Sequence, residues 1–229
     1  MTPLPVFVAH VGCGSNPARC HMLEHTLDAL MAVVGLETRV QADSAWAWSS
    51  HGSCCDTVLP RDETSQRDRR AQAIRWAQDH AEPLVVIADD DVVPLPTTED
   101  GIPWVPYVRD YFDRHPGVSQ LAPFPMPDPC RTPHGSIEAM DATVGGFRIV
   151  RVADAKPFAE WPAAAPATAD KYDAEFSECL TGRSVLCHRW WAIHLDFKVS
   201  PGGRYDRGVR WTGAEPTRRP AATPPAPAP

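Results

Sequence analysis

Apolar positions in this chain come in two spacings, continuous runs and helical repeats. Val6-Phe7-Val8-Ala9 is a continuous run and predicts a buried strand. Gly12 to Pro17 then turns; Asn16 is a candidate helix cap and Pro17 suits the first helical position. Met22, Leu23, Leu27, Leu30 and Val34 recur at helical spacing until Gly35, and Glu37 to Val40 reads as a second strand. The opening is thus a β-α-β unit. Residues 41 to 60 are irregular. Asp62 to His80 is helical in character, with a narrow apolar face of Ala73, Ile74 and Ala77 among arginines.

Leu84 to Ala88 is a run of five apolar residues, the pattern of a central parallel strand, and it ends in Asp89-Asp90-Asp91. A short helix is expected over Trp104 to His115, stopped by Pro116-Gly117. Val118 to Ala122 and Thr143 to Val150 read as strands and Tyr172 to Leu180 as a helix. Ser184 to Phe197 reads as two short strands or one bent one. These elements define an α/β fold, a single domain over residues 1–200. Residues 201–229 are rich in proline and alanine and are expected to form a disordered tail.

The bulk numbers narrow the function classes. The chain has 229 residues, 43% hydrophobic and 22% charged, with a net charge of -7. An acidic balance gives no global attraction to nucleic acid or anionic membrane. No stretch approaches the roughly 18 apolar residues of a membrane span. The first residues lack the basic region of a signal peptide, so the expected compartment is the cytoplasm. Seven cysteines without a CxxC pair read as reduced thiols rather than a zinc ribbon.

The acidic triplet is the most informative feature. Ligands of open α/β sheets bind beyond the carboxyl ends of the strands. Three adjacent carboxylates repel one another and call for a cation, and hard oxygen ligands suit Mg2+ or Mn2+. Such an ion bridges to a substrate diphosphate as a Lewis acid. A solvated acidic turn is the plainer alternative. The triplet alone does not separate sugar transfer from phosphoryl transfer.

Four segments, taken in order, carry a resemblance. Arg70 to Ala77 followed by Pro83 to Asp91 resembles the Arg-rich helix, apolar strand and DxD-type motif of family 2 glycosyltransferases of the GT-A fold. Asp141 to Arg151, with Gly145-Gly146, resembles the glycine-containing strand of that family. Tyr172 to Leu180 resembles its E-D-x-D-L-x-x-R-L helix, with Tyr172 and Cys179 in place of the family's Glu and Arg. His194 falls where the family often has a late histidine. The resemblance spans roughly residues 5 to 197 and implies a nucleotide-sugar half over about 1–95 and an acceptor half over about 96–200. It implies a single GT-A-like, Rossmann-like domain with a mixed, mostly parallel central sheet flanked by helices.

It also implies roles. Asp91 binds the metal, Asp89 meets the ribose or the metal's water, and Asp90 does either or points away. Ala9 and His10 face the nucleotide. Asp43 is a candidate acceptor for the base, or a turn residue. Arg70, with Arg61, Arg67 and Arg69 as competitors, is a candidate for the donor phosphates. Gly145 and Gly146 allow close backbone approach to the sugar. Asp173 matches the general base, with Glu175 as the backup. His194 is a candidate third metal ligand, with His188 as its competitor. Trp161 is a candidate acceptor platform.

The expected activity is transfer of a sugar from a nucleotide-sugar donor to an acceptor hydroxyl with inversion. By the same resemblance the donor is a nucleoside diphosphate sugar. The acceptor is open: a protein, a small metabolite or a modified DNA base. No integral membrane association is expected. Two rivals stand beside this reading. One is a magnesium-dependent nucleotidyltransferase or phosphotransferase, which shares the triplet. The other is a non-catalytic nucleotide- or carbohydrate-binding module.

Overall fold

The computed structural model describes residues 2–9, 17–41, 66–126, 139–141, 146–161, 176–195, 209–211 and 216–218. Three strands open the sheet: β1 (Leu4–Ala9), β2 (Leu36–Gln41) and β3 (Leu84–Asp89). They pair in parallel, β1 with β2 and β1 with β3. Helix α1 (Pro17–Met31) connects β1 to β2, and α2 (Gln66–Asp79) precedes β3. The predicted β-α-β opening is therefore present, with Pro17 first in its helix.

The rest of the sheet is built from β4 (Val92–Pro94), β5 (Val118–Met126), β6 (Ala139–Asp141), β7 (Phe147–Arg151) and β8 (Arg183–His194). The strand order is β2-β1-β3-β7-β5-β8-β4, with β6 also paired to β8. β7 runs antiparallel between β3 and β5, while β5 and β8 are parallel. The fold is thus α/β around a mixed sheet, parallel over β2, β1 and β3 and mixed in direction beyond them. Two three-residue strands, β9 (Val209–Trp211) and β10 (Pro216–Arg218), pair with each other inside the segment expected to be the tail.

Alternation along the strands sorts side chains onto two faces. Val6, Val8, Val86, Ala88, Phe147 and Ile149 share one face and one buried cluster with Leu23, Leu27 and Leu30 of α1. Helix α3 (Trp104–Arg114) adds Trp104, Val105, Val108, Tyr111 and Phe112 to that layer. On the other face Phe7, Val85, Ile87 and Val150 pack against Ala71, Ala73, Ile74 and Ala77 of α2. The sheet has helices on both sides, as the continuous apolar run of β3 requires.

β8 is the bent form of the two alternatives the sequence allows. Pro123 pairs with Cys187, but the next residue, Phe124, pairs with Trp191, so His188 to Trp190 bulge out of the ladder. A bulge bends and twists its strand. The bend has a consequence for chain closure. β4 lies four strands from β3 in the sheet order, a separation of about 19 Å in a flat sheet. The chain covers it from Asp89 to Val92, a reach of at most about 11 Å. The sheet must curl, and the acidic triplet is the segment that spans the curl.

Among the described residues, no helix is long and apolar enough to cross a membrane.

Candidate functional site

The C-terminal ends of β1, β2 and β3 lie side by side, with Ala9 opposite both Gln41 and Asp89. β7 starts at the same edge, because Ala88 pairs with Phe147 and the Asp89 N–H donates to the Gly146 carbonyl at 2.6 Å. Gly146 has φ +80, a left-handed conformation that glycine adopts without a Cβ penalty. β8 ends here as well: His194 is opposite Val92, and the Leu195 N–H donates to the Asp91 carbonyl at 2.6 Å. Residues 89–91, 146 and 194–195, distant in sequence, therefore meet at one edge.

The triplet is held by its backbone at each position. Asp89 is tied through its N–H to Gly146, and Asp91 through its carbonyl to Leu195. The Asp90 carbonyl accepts a hydrogen bond of 3.0 Å from the hydroxyl of Thr26, on α1. Asp90 is buried at 1% exposure and Asp91 at 6%, while Asp89 is half-buried. Alternation places Asp89 on the face of Ile87, the face that α2 covers.

Arg70 and Arg148 come together on that same face. Both are buried, and their guanidinium carbons lie 5.2 Å and 5.1 Å from the ring centre of Phe176. Arg148 sits opposite Ile87, two residues before Asp89 on the neighbouring strand. Phe176 opens a helical turn at 176–178, the described end of the predicted 172–180 helix. At the other side of the edge, the Gln41 amide donates to the Arg69 carbonyl at 3.0 Å and fixes the start of α2 over β2.

The remaining expected residues divide as follows. Trp161 is 5% exposed; its indole N–H donates to the Lys156 carbonyl and its ring meets the edge of Phe176. It packs in the second cluster, beside Phe158 and Phe176. His188 is buried in the bulge, 4.9 Å from the ring of Phe124, and not beside the triplet in the ladder. His194 is placed by its backbone only. His10, Asp43, Arg61, Gly145, Asp173 and Glu175 lie outside the described residues.

Among the described residues, no three His, Cys, Asp or Glu side chains converge as a preformed metal cage. That is compatible with Mg2+ or Mn2+, which are commonly held by one or two carboxylates plus substrate phosphates and water. Thr26 and Arg148 escape a reading of the sequence, though each leaves a trace there. Thr26 interrupts the apolar stripe of Leu23, Leu27 and Leu30, and Arg148 interrupts the apolar run of β7.

No family model matches the chain, and no curated protein matches it by sequence. Several solved structures overlap with it. CMP:2-keto-3-deoxy-manno-octonic acid synthetase complexed with CTP does so with a TM-score of 0.48 and 11% identity, over 82% of this chain and 88% of that one. A197 from STIV gives 0.46 and 13%, over 85% and 86%. Mannose-1-phosphate geranyltransferase from Thermus thermophilus gives 0.42 and 15%, over 85% and 58%. At such scores and identities the likeness speaks to neither reaction nor ligand.

Proposed function

We propose that the chain is a metal-dependent glycosyltransferase that uses a nucleotide-activated sugar. The observation that carries this reading is the acidic triplet, fastened by its backbone where the C-terminal ends of β1, β2 and β3 meet Gly146 and His194. That is where open α/β sheets bind ligands. Asp91 and Asp89 hold Mg2+ or Mn2+, with His194 as the candidate third ligand. The ion, when bound, neutralises charge on the donor diphosphate.

The chain's own residues do the rest. Ala9, His10 and Asp43 receive the nucleoside. The Asp90 carbonyl ties the turn to Thr26. Arg70 lies toward the phosphates, and Gly145-Gly146 admits the sugar close to the backbone. Asp173, with Glu175 as the alternative, takes the proton of the acceptor hydroxyl. As the acceptor oxygen bonds to the anomeric carbon, the bond from that carbon to the phosphate oxygen breaks. The nucleoside diphosphate leaves with the bonding electrons, and the anomeric centre inverts. The protein acts without insertion into a membrane, in the cytoplasm, and its acceptor is a protein, a small metabolite or a modified DNA base.

Nucleotidyl transfer is the second reading. It is favoured by the fact that every described part of the site belongs to the donor edge, which both chemistries need.

A thermal-shift series of nucleoside diphosphates, with and without Mn2+, tests donor binding. A ligand that binds only the folded state raises its melting temperature by mass action. One diphosphate is expected to stabilise the folded protein, and only when Mn2+ is present. A folded protein indifferent to every one of them leaves the triplet a structural turn and sinks the donor-site reading.

A further inference from the structure

Thr26 is fully buried on the face of α1 that carries Leu23, Leu27 and Leu30. A hydroxyl in such a layer is costly unless it is hydrogen-bonded. Within a helix, threonine can satisfy itself on the carbonyl one turn back. Here it donates instead to the Asp90 carbonyl, 64 residues away in sequence. The flanking ties of the triplet are backbone to backbone, Asp89 to Gly146 and Leu195 to Asp91. Thr26 thus supplies a side-chain tie at the centre of the turn, and it comes from the helix that follows the end of β1.

The three carboxylates repel one another, and the repulsion grows as water is excluded. Rotating the central peptide would relieve that repulsion, and the Thr26 hydroxyl on the Asp90 carbonyl opposes the rotation. Such a rotation redirects the carboxylates on either side. We infer that Thr26 is a positioning residue for cation binding: its hydroxyl fixes the Asp90 peptide and so aims Asp89 and Asp91. This rests on the donor-site reading above.

Rigidity carries a signature that simple packing does not. Mn2+ and Mg2+ favour short, near-octahedral coordination, whereas Ca2+ accepts longer and more variable oxygen distances. A loosened turn therefore loses Mn2+ affinity faster than Ca2+ affinity.

The test uses Thr26→Val, which keeps the shape and removes the hydroxyl, and Thr26→Ser, which keeps the hydroxyl. Thr26→Ala is a second hydroxyl-free variant should the valine protein not fold. Mn2+ and Ca2+ are titrated separately in the presence of the stabilising nucleoside diphosphate, and melting is followed. Thr26→Val is expected to raise the Mn2+ midpoint about tenfold, the scale of outer-shell losses at metal sites. The Ca2+ midpoint should move less, and serine should restore the Mn2+ value. Equal Mn2+ midpoints in the wild type and Thr26→Val overturn the inference. So does a parallel loss of both ions with a lowered metal-free melting temperature, which marks a packing role. A wild-type protein that responds to neither ion overturns the donor-site reading itself, a result distinct from either of these.

Discussion

Asp91→Ala is expected to abolish the Mn2+-dependent stabilisation by nucleoside diphosphate and to lower turnover by more than about a hundredfold. Outer-shell partners of metal sites are already worth about 10–100-fold, so a direct ligand exceeds that. The fold should survive the change. The tie to Leu195 runs through the Asp91 carbonyl, which alanine keeps. Asp91→Asn, which keeps the shape and a hydrogen-bonding oxygen in this buried place, is the companion variant and should lose the Mn2+ response as well. Loss of the ligand response in both variants, with the metal-free fold retained, separates a metal ligand from a structural aspartate. Melting curves with and without Mn2+ check it, and an Asp91→Ala protein that still responds to Mn2+ contradicts the assignment.

Trp190→Ala is expected to destabilise the fold by about 3–5 kcal/mol, the range for truncating a large buried aromatic. Trp190 and Trp104 are both fully buried and stack with ring centres 4.8 Å apart, and Phe147 meets both edge-on. The Trp190 indole also donates to the Leu95 carbonyl at 2.9 Å. This residue lies in the bulge of β8, between the half that pairs early with β5 and the half that reaches β4. Its ring joins the bulge to α3 and to the first residue of β7. Losing it should loosen the last part of β8, which carries His194 and the tie to Asp91. Urea denaturation gives the stability change, and Mn2+ binding should weaken in the same variant. Trp190→Phe should recover most of the packing. A loss below about 1 kcal/mol would mean that the aromatic trio does not hold the bend.

The first half of the fold is legible in the sequence because each element is written in a local pattern. The apolar runs of β1 and β3, the leucine stripe of α1 and its Pro17 start correspond to observed features, whereas the helix ends at Met31, short of Gly35, and Val34, expected on its stripe, is 91% exposed. The triplet is legible as the end of a buried strand for the same reason. The curl is not. It depends on the register skip at His188 to Trp190 and on β4, three residues whose composition does not distinguish a strand from a loop. The placement of β7 between β3 and β5 is likewise a long-range pairing that no local pattern encodes.

The site divides along the same line. The resemblance picks out Asp89, Asp91, Gly146 and His194 as candidates, and the edge brings the backbone of those segments together. The surroundings of Trp161 are not legible in the sequence, because a tryptophan in a loop looks alike whether it packs inward or faces solvent. Its burial follows from Phe158 and Phe176, residues that meet it only in the folded chain. Thr26 is passed over because a polar residue in an apolar stripe acquires meaning only once its partner, Asp90, is known.

The most direct test of the central claim is chromatographic analysis of the nucleotide products after incubation with a panel of nucleotide sugars and Mn2+. The account predicts that one nucleotide sugar is converted, only with metal, to its nucleoside diphosphate, with the sugar passed to an added acceptor or slowly to water. Failure to convert any of them, together with pyrophosphate release from a nucleoside triphosphate and a sugar phosphate, would contradict it and establish nucleotidyl transfer at the same edge.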